Sequence, residues 1–140
     1  MPALEQVVAE LRVAFPDRVI ATDFELKSGV NCDRARIGQL FSNLLANALT
    51  YSTPNTPVRV HASIDDDVFE LWVANQGEPI PPAAMGRLFA PYARGEVMAS
   101  QQGLGLGLYI ASEIARAHDG TLTVTSTPQE TRFVLRIPAG

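Results

Sequence analysis

The chain has 140 residues, 46% hydrophobic and 19% charged, with ten Gly and ten Pro. That size suits one domain with a proper core and excludes two full ones, and the composition excludes a disordered or fibrous chain. A formal net charge of -4 leaves no basic face to neutralise a phosphate backbone, which excludes nucleic acid as a partner.

Lys27 is the only lysine, so a phosphate held by a cationic side chain must meet arginine. A single cysteine, Cys32, excludes an internal disulfide and a multi-cysteine metal site; it reads as a small buried hydrophobe in a reducing compartment. No apolar run approaches the roughly 20 residues of a membrane helix. The opening MPALEQVV lacks the basic start and apolar middle of a signal peptide. The expected location is the cytoplasm, with the chain either free there or the cytosolic part of a membrane-bound sensor.

Along the chain, Leu4, Val7, Val8, Leu11 and Phe15 recur at three and four and predict an amphipathic helix ended by Pro16. RVIATDFEL reads as a strand. Asp33 is placed to cap a long helix that buries Ile37, Leu40, Phe41, Leu44, Leu45, Ala48 and Leu49 and stops before STPNTP. VRVHASI and FELWVAN predict an antiparallel strand pair joined by the acidic DDD turn. PPAAMGRLF predicts a short helix with prolines at its start, and RGEVMASQQ a loop. A helix from about Leu104 to His118, stopped at Gly120, precedes a closing hairpin of TLTVTST and TRFVLRIP. This order predicts one domain over 1–140, an α/β sandwich in which helices cover one face of a mixed, largely antiparallel sheet.

Three stretches carry chemistry. GLGLGLYIA places glycines at every second position leading into a helix, where close backbone approach and the positive helix end suit a phosphate. It is neither a G-x-G-x-x-G fingerprint nor a Walker loop, and a structural glycine turn is its rival. VANQGEPIP leaves a strand at Asn75, turns at Gly77 and ends in an apolar corner at Ile80, offering an acceptor and a donor to the edge of a flat base. Alone it reads equally as a strand-to-turn exit. LFSNLLANALTYS puts Asn43 and Asn47 four residues apart on one helix face, although asparagine is a poor helix former.

The ordered set NLLANALTYS, NQGEPIP, LFAPYARG and GLGLGL resembles the N, G1, F and G2 boxes of the catalytic ATP-binding domain of bacterial sensor histidine kinases, a branch of the Bergerat-fold ATPases. The resemblance runs from about Asp33 to the C-terminus. It implies ATP and Mg²⁺ as cofactors, with Asn47 the metal ligand and Tyr51 beside adenine and ribose. It places Asn75, Gly77 and Ile80 at the base, and Gly103, Leu104, Gly105, Leu106, Gly107 and Leu108 around the phosphates. Phe89, Pro91 and Tyr92 match the box that anchors a lid, read here as Arg94 to Gln102. Arg94 is the side chain expected on the phosphates, with Arg87 a weaker candidate.

The position of Asn43 usually holds a glutamate base in the related hydrolases and serine kinases. An amide has no useful basicity, and a neutral imidazole needs positioning more than deprotonation, so Asn43 favours transfer to histidine. Three positions depart from the common pattern. Asn75 stands where an aspartate usually binds adenine, Pro79 replaces a glycine, and Thr50 replaces a lysine or arginine. Neither His61 nor His118 matches a phosphoacceptor box, so the substrate histidine is expected on a separate dimerisation domain that then supplies a response regulator. The chain alone is expected to be a monomer and the full protein a homodimer. The rival readings are a catalytically degenerate regulatory nucleotide-binding module, and an ATP hydrolase or serine kinase of the same fold.

Overall fold

A computed structural model describes residues 2–25, 34–53, 55–65, 67–77, 80 and 102–138. Among the described residues, three helices, α1 (Pro2–Ala14), α2 (Arg34–Tyr51) and α3 (Gln102–Ala117), accompany five strands, β1 (Ile20–Glu25), β2 (Val58–Asp65), β3 (Val68–Asn75), β4 (Thr121–Ser126) and β5 (Thr131–Pro138). The strands form one sheet in the order β1-β2-β3-β5-β4. β1 runs parallel to β2, while the β2–β3, β3–β5 and β4–β5 pairs are antiparallel. The architecture is the mixed sandwich that the alternation of helices and strands predicts.

Period decides which side each element buries. On β2, β3 and β5 every second residue, Val58, Val60, Ala62, Phe69, Leu71, Val73, Phe133, Leu135 and Ile137, enters a single core. The helices close it with Leu4, Val7 and Val8 of α1, Leu108, Ala111, Ile114 and Ala115 of α3, and the α2 stripe. Every large apolar residue in the α2 stripe is at most 2% exposed. Burying such a side chain contributes about 1.5–3 kcal/mol, against at most about 0.7 kcal/mol lost by an asparagine in a helix. Packing therefore carries the two amides.

The opposite face of the sheet is polar and paired within itself. Trp72 lies under the Arg132 guanidinium, 4.0 Å from the ring centroid, with Arg59 at 5.6 Å and His61 stacked alongside at 5.4 Å. Glu130 bridges Arg59 and Arg132, Asp23 meets His61 at 3.2 Å, and Glu70 meets Arg136 at 2.7 Å. His61 thus belongs to a solvated, ion-paired face. His118 donates from Nδ1 to the Ile114 carbonyl at 2.9 Å, a local helix-end contact.

Two local expectations need correction. The glycine-rich stretch does not lead into α3 from outside: the helix begins at Gln102, so Gly103, Gly105 and Gly107 lie within its first two turns. At the other end, Gly120 is not the residue with left-handed backbone. Asp119 takes that role with φ 58, and Gly120 is required because a Cβ there would sit 2.4 Å from the Arg136 carbonyl oxygen. The Gly120 N–H returns to the Ala115 carbonyl at 2.9 Å and closes the helix. The expected Asp33 cap, Cys32, and the short helix PPAAMGRLF lie outside the described residues.

Candidate functional site

The i, i+4, i+8 spacing of Asn43, Asn47 and Tyr51 sets them along one side of α2, and that side meets α3 and the exit of β3. Asn43 is half-buried and donates from Nδ2 to the Gly107 carbonyl at 3.1 Å, tying α2 to α3. Asn47 is 5% exposed, and its Oδ1 is enclosed with no hydrogen-bond partner among the described residues. A buried carbonyl oxygen left so costs about 1–3 kcal/mol. The two amides that look alike in the sequence are in opposite states.

The end of β3 is stitched to the end of α2. Thr53 N–H donates to the Gln76 carbonyl at 2.7 Å, and Gly77 lies so close to Tyr51 that a Cβ there would be 2.8 Å from its carbonyl oxygen. Only glycine permits this approach. It sets Asn75, 6% exposed, and half-buried Tyr51 around one corner, with the Asn75 amide nitrogen 3.6 Å from where that Cβ would stand. Ile80 follows on, held by its N–H to Ser126 Oγ at 2.8 Å, and Ser126 shares a 2.7 Å hydrogen bond with Thr131 Oγ1.

Thr131 was not singled out by its sequence, yet it is buried and pairs in register with Asn75 across β3 and β5. Its only local sign is a polar residue opening an apolar strand. Arg18 is a further neighbour of this corner: its guanidinium donates to the Leu49, Thr53 and Thr56 carbonyls and to Ser52 Oγ. No local pattern announces it, because its acceptors are 31 or more residues away.

Of the predicted phosphate segment, Gly107 is buried against Asn43 and Leu108 is a core residue, 1% exposed. Gly103, Leu104, Gly105 and Leu106 lie in the first turn and a half of α3, where the leading N–H groups have no intrahelical acceptor and the helix end is positive. Pro79, Arg87, Phe89, Pro91, Tyr92 and Arg94 lie outside the described residues. Of the loop read as the lid, only Gln102 is described, and it opens α3. Thr50 turns its hydroxyl back to the Ala46 carbonyl at 2.8 Å.

Among the described residues no group of three or more His, Cys, Asp or Glu could hold a metal by itself. The side-chain oxygen that could serve a hard cation such as magnesium is the enclosed Asn47 Oδ1. That suits an ion which keeps water and takes few protein ligands. An open cleft of about 570 Å³ at the far end of α2, lined by residues including Arg36, Tyr109, Glu113 and His118, contains none of the predicted site residues.

Residues 32–140 match the family model described as histidine kinase-, DNA gyrase B-, and HSP90-like ATPase. Over 134 residues the chain is 39% identical to the probable sensor histidine kinase TcrY of Mycobacterium tuberculosis, covering 94% of this chain and 28% of TcrY. It is 35% identical to a bacteriophytochrome of Pseudomonas aeruginosa, covering 96% of this chain and 19% of that protein. The chain thus spans less than a third of these relatives. Among solved structures, the nucleotide-free catalytic domain of the histidine kinase ThkA superposes with a TM-score of 0.82 at 25% identity, over 99% of this chain and 91% of that one. The mycobacterial sensor histidine kinase MprB gives 0.81 at 26% identity, over 98% and 93%. The chain therefore belongs to the histidine kinase-, DNA gyrase B- and HSP90-like ATPase family, as a domain homologous to the catalytic domains of sensor histidine kinases.

Proposed function

We propose that the domain binds Mg·ATP between α2, the exit of β3 and the start of α3. Within a longer protein it presents the γ-phosphoryl group to a histidine on a separate dimerisation domain, which passes it to a response-regulator aspartate. The observation that carries this reading is the Asn47 carbonyl oxygen, buried and without a hydrogen-bond partner among the described residues, at the position where the metal ligand is expected. Support comes also from ShkA, whose full-length structure is a complex with AMPPNP and superposes at a TM-score of 0.79 and 25% identity, over 98% of this chain and 29% of ShkA.

Magnesium, if bound, would be held on the protein side by Asn47 and would supply the largest local positive charge beside the phosphates. This chain's own residues do the positioning. Tyr51, Asn75, Gly77 and Ile80 form the corner that receives the base, with Asn75 as acceptor for its amino group and Thr131 directly across the strand pair. The N–H groups opening α3, from Gly103 onward, and the positive end of that helix face the phosphates. Arg94 is assigned to the same phosphates and Phe89 to anchoring the loop that carries it. Asn43 is tied to Gly107 as a neutral amide, so this position offers no carboxylate base to activate water or a hydroxyl. An attacking imidazole needs none.

No helix among the described residues is long and apolar enough to cross a membrane. In this reading the domain works in the cytoplasm, where ATP is available. On the same reading dimerisation belongs to the separate phosphoacceptor domain, the catalytic domain by itself is a monomer, and a dimeric mass in light scattering would contradict that. The test is calorimetric titration with AMPPNP, with and without Mg²⁺, on the parent and on Asn47→Ala, followed by phosphotransfer to a separately supplied dimerisation domain. Magnesium-dependent binding lost in the variant, and label reaching the added histidine, are the expected results. A folded chain that binds no nucleotide would refute the reading and leave a degenerate regulatory module.

A further inference from the structure

We infer that Arg18, in the turn between α1 and β1, is a positioning residue for the nucleotide base, acting through the end of α2. The inference rests on the nucleotide-binding reading above. Helix α2 ends at Tyr51, and the Ser52 N–H still reaches back to the Ala48 carbonyl at 3.0 Å. The next backbone donor, Thr53 N–H, has the Leu49 carbonyl as its helical acceptor. It does not use it. Thr53 N–H instead donates to Gln76 at 2.7 Å, and the Leu49 carbonyl accepts from Arg18 Nη1 at 3.0 Å.

This is an exchange of donors. Arg18 is the nearer of two side-chain donors to the carbonyl that would otherwise draw the helix on by another residue, the second being Ser52 Oγ at 3.4 Å, and so helps release Thr53 N–H for the β3 exit. The same guanidinium gathers the rest of the turn, donating to Ser52 Oγ, to the Thr53 carbonyl at 3.3 Å and to the Thr56 carbonyl at 3.2 Å. A planar cation with several fixed donors is suited to this, and a cation at a helix C-terminus is favoured by the helix dipole. A lysine ammonium offers neither the fork nor the reach to four acceptors.

The link from Thr53 to the base is short. Gln76 lies between Asn75 and Gly77, and Gly77 sits against the Tyr51 carbonyl at a distance only glycine allows. Loss of the Thr53–Gln76 bond therefore frees the Asn75–Gly77 corner from Tyr51. Asn47 and the start of α3 are held by other contacts, the α2 core stripe and the Asn43–Gly107 bond, and stay in place. The effect of Arg18 falls on recognition of the base and leaves the magnesium–phosphate end intact.

The test is titration of Arg18→Met and Arg18→Lys with AMPPNP and with the corresponding guanine analogue, in Mg²⁺, at a temperature where circular dichroism shows each variant folded. The parent binding AMPPNP is the control. Positioning predicts AMPPNP affinity weaker by about tenfold, the equivalent of one charge-assisted hydrogen bond. It also predicts that adenine-over-guanine preference collapses in both variants, and that millimolar methylguanidinium restores part of it to Arg18→Met. A residue that merely stabilises the fold would move neither the affinity of folded protein nor the base preference. Unchanged affinity and preference in folded Arg18→Met overturn the inference while leaving the nucleotide site standing. If that variant does not fold, Ser52→Ala removes one of the four acceptors, and the same comparison holds: a smaller loss supports positioning and no change overturns it. A parent that binds no nucleotide refutes the functional reading, and this inference with it.

Discussion

Asn43 and Asn47 make a paired experiment, because the same residue occurs twice on one helix with opposite hydrogen-bonding states. Replacing each by alanine gains the same helix propensity, at most about 0.7 kcal/mol, which cancels in the comparison. Asn43→Ala loses the 3.1 Å bond to Gly107, a net cost of about 0.5–1.5 kcal/mol. Asn47→Ala removes an enclosed carbonyl oxygen that has no partner among the described residues, which returns about 1–3 kcal/mol. Asn47→Ala is thus expected to be the more stable variant by about 1.5–4.5 kcal/mol, and to melt above the parent by roughly 3 °C or more. Thermal denaturation without nucleotide measures this. In saturating Mg·AMPPNP the order inverts for the parent, which gains about 2.7 kcal/mol at a hundredfold excess over Kd, while Asn47→Ala gains little. If Asn47→Ala melts below Asn43→Ala without nucleotide, the Asn47 amide serves the fold and is not held in reserve for a ligand.

Gly77→Ala should lower Tm and weaken nucleotide binding, because its Cβ would press on the Tyr51 backbone carbonyl, which cannot swing aside; the expected cost is about 1–3 kcal/mol by denaturation. Gly107→Ala is the contrast: its Cβ meets Asn43 at an ordinary 3.5 Å, and removing a helical glycine should stabilise by up to about 1 kcal/mol. Asn75→Asp brings a charge to the adenine contact and should tighten ATP binding by about tenfold in calorimetry, since charged hydrogen bonds exceed neutral ones by about 1–1.5 kcal/mol. On the proposed binding mode Asn43→Glu supplies a base at the γ-phosphoryl end and should raise ATP hydrolysis measured by phosphate release; no rise would remove the argument that the amide disfavours water as acceptor.

Much of this molecule is determined locally. The three-and-four spacing on α2 specifies both its buried stripe and the common side of Asn43, Asn47 and Tyr51, since helix period is a property of the backbone alone. Alternation does the same for β2, β3 and β5, and the four ordered boxes carry the family. What depends on distant partners was decided by tertiary structure. Asn43 is satisfied because the α3 backbone, 64 residues on, comes within reach, while Asn47 Oδ1 meets no partner among the described residues. Gly120 reads as a helix stop, yet its small size is demanded by β5, while Asp119 makes the left-handed turn. Thr131 becomes a site neighbour only through register with Asn75, and Arg18 through acceptors 31 to 38 residues away. Periodicity is written in the order of residues, whereas the satisfaction of a buried polar group is settled only when packing brings, or withholds, its partner.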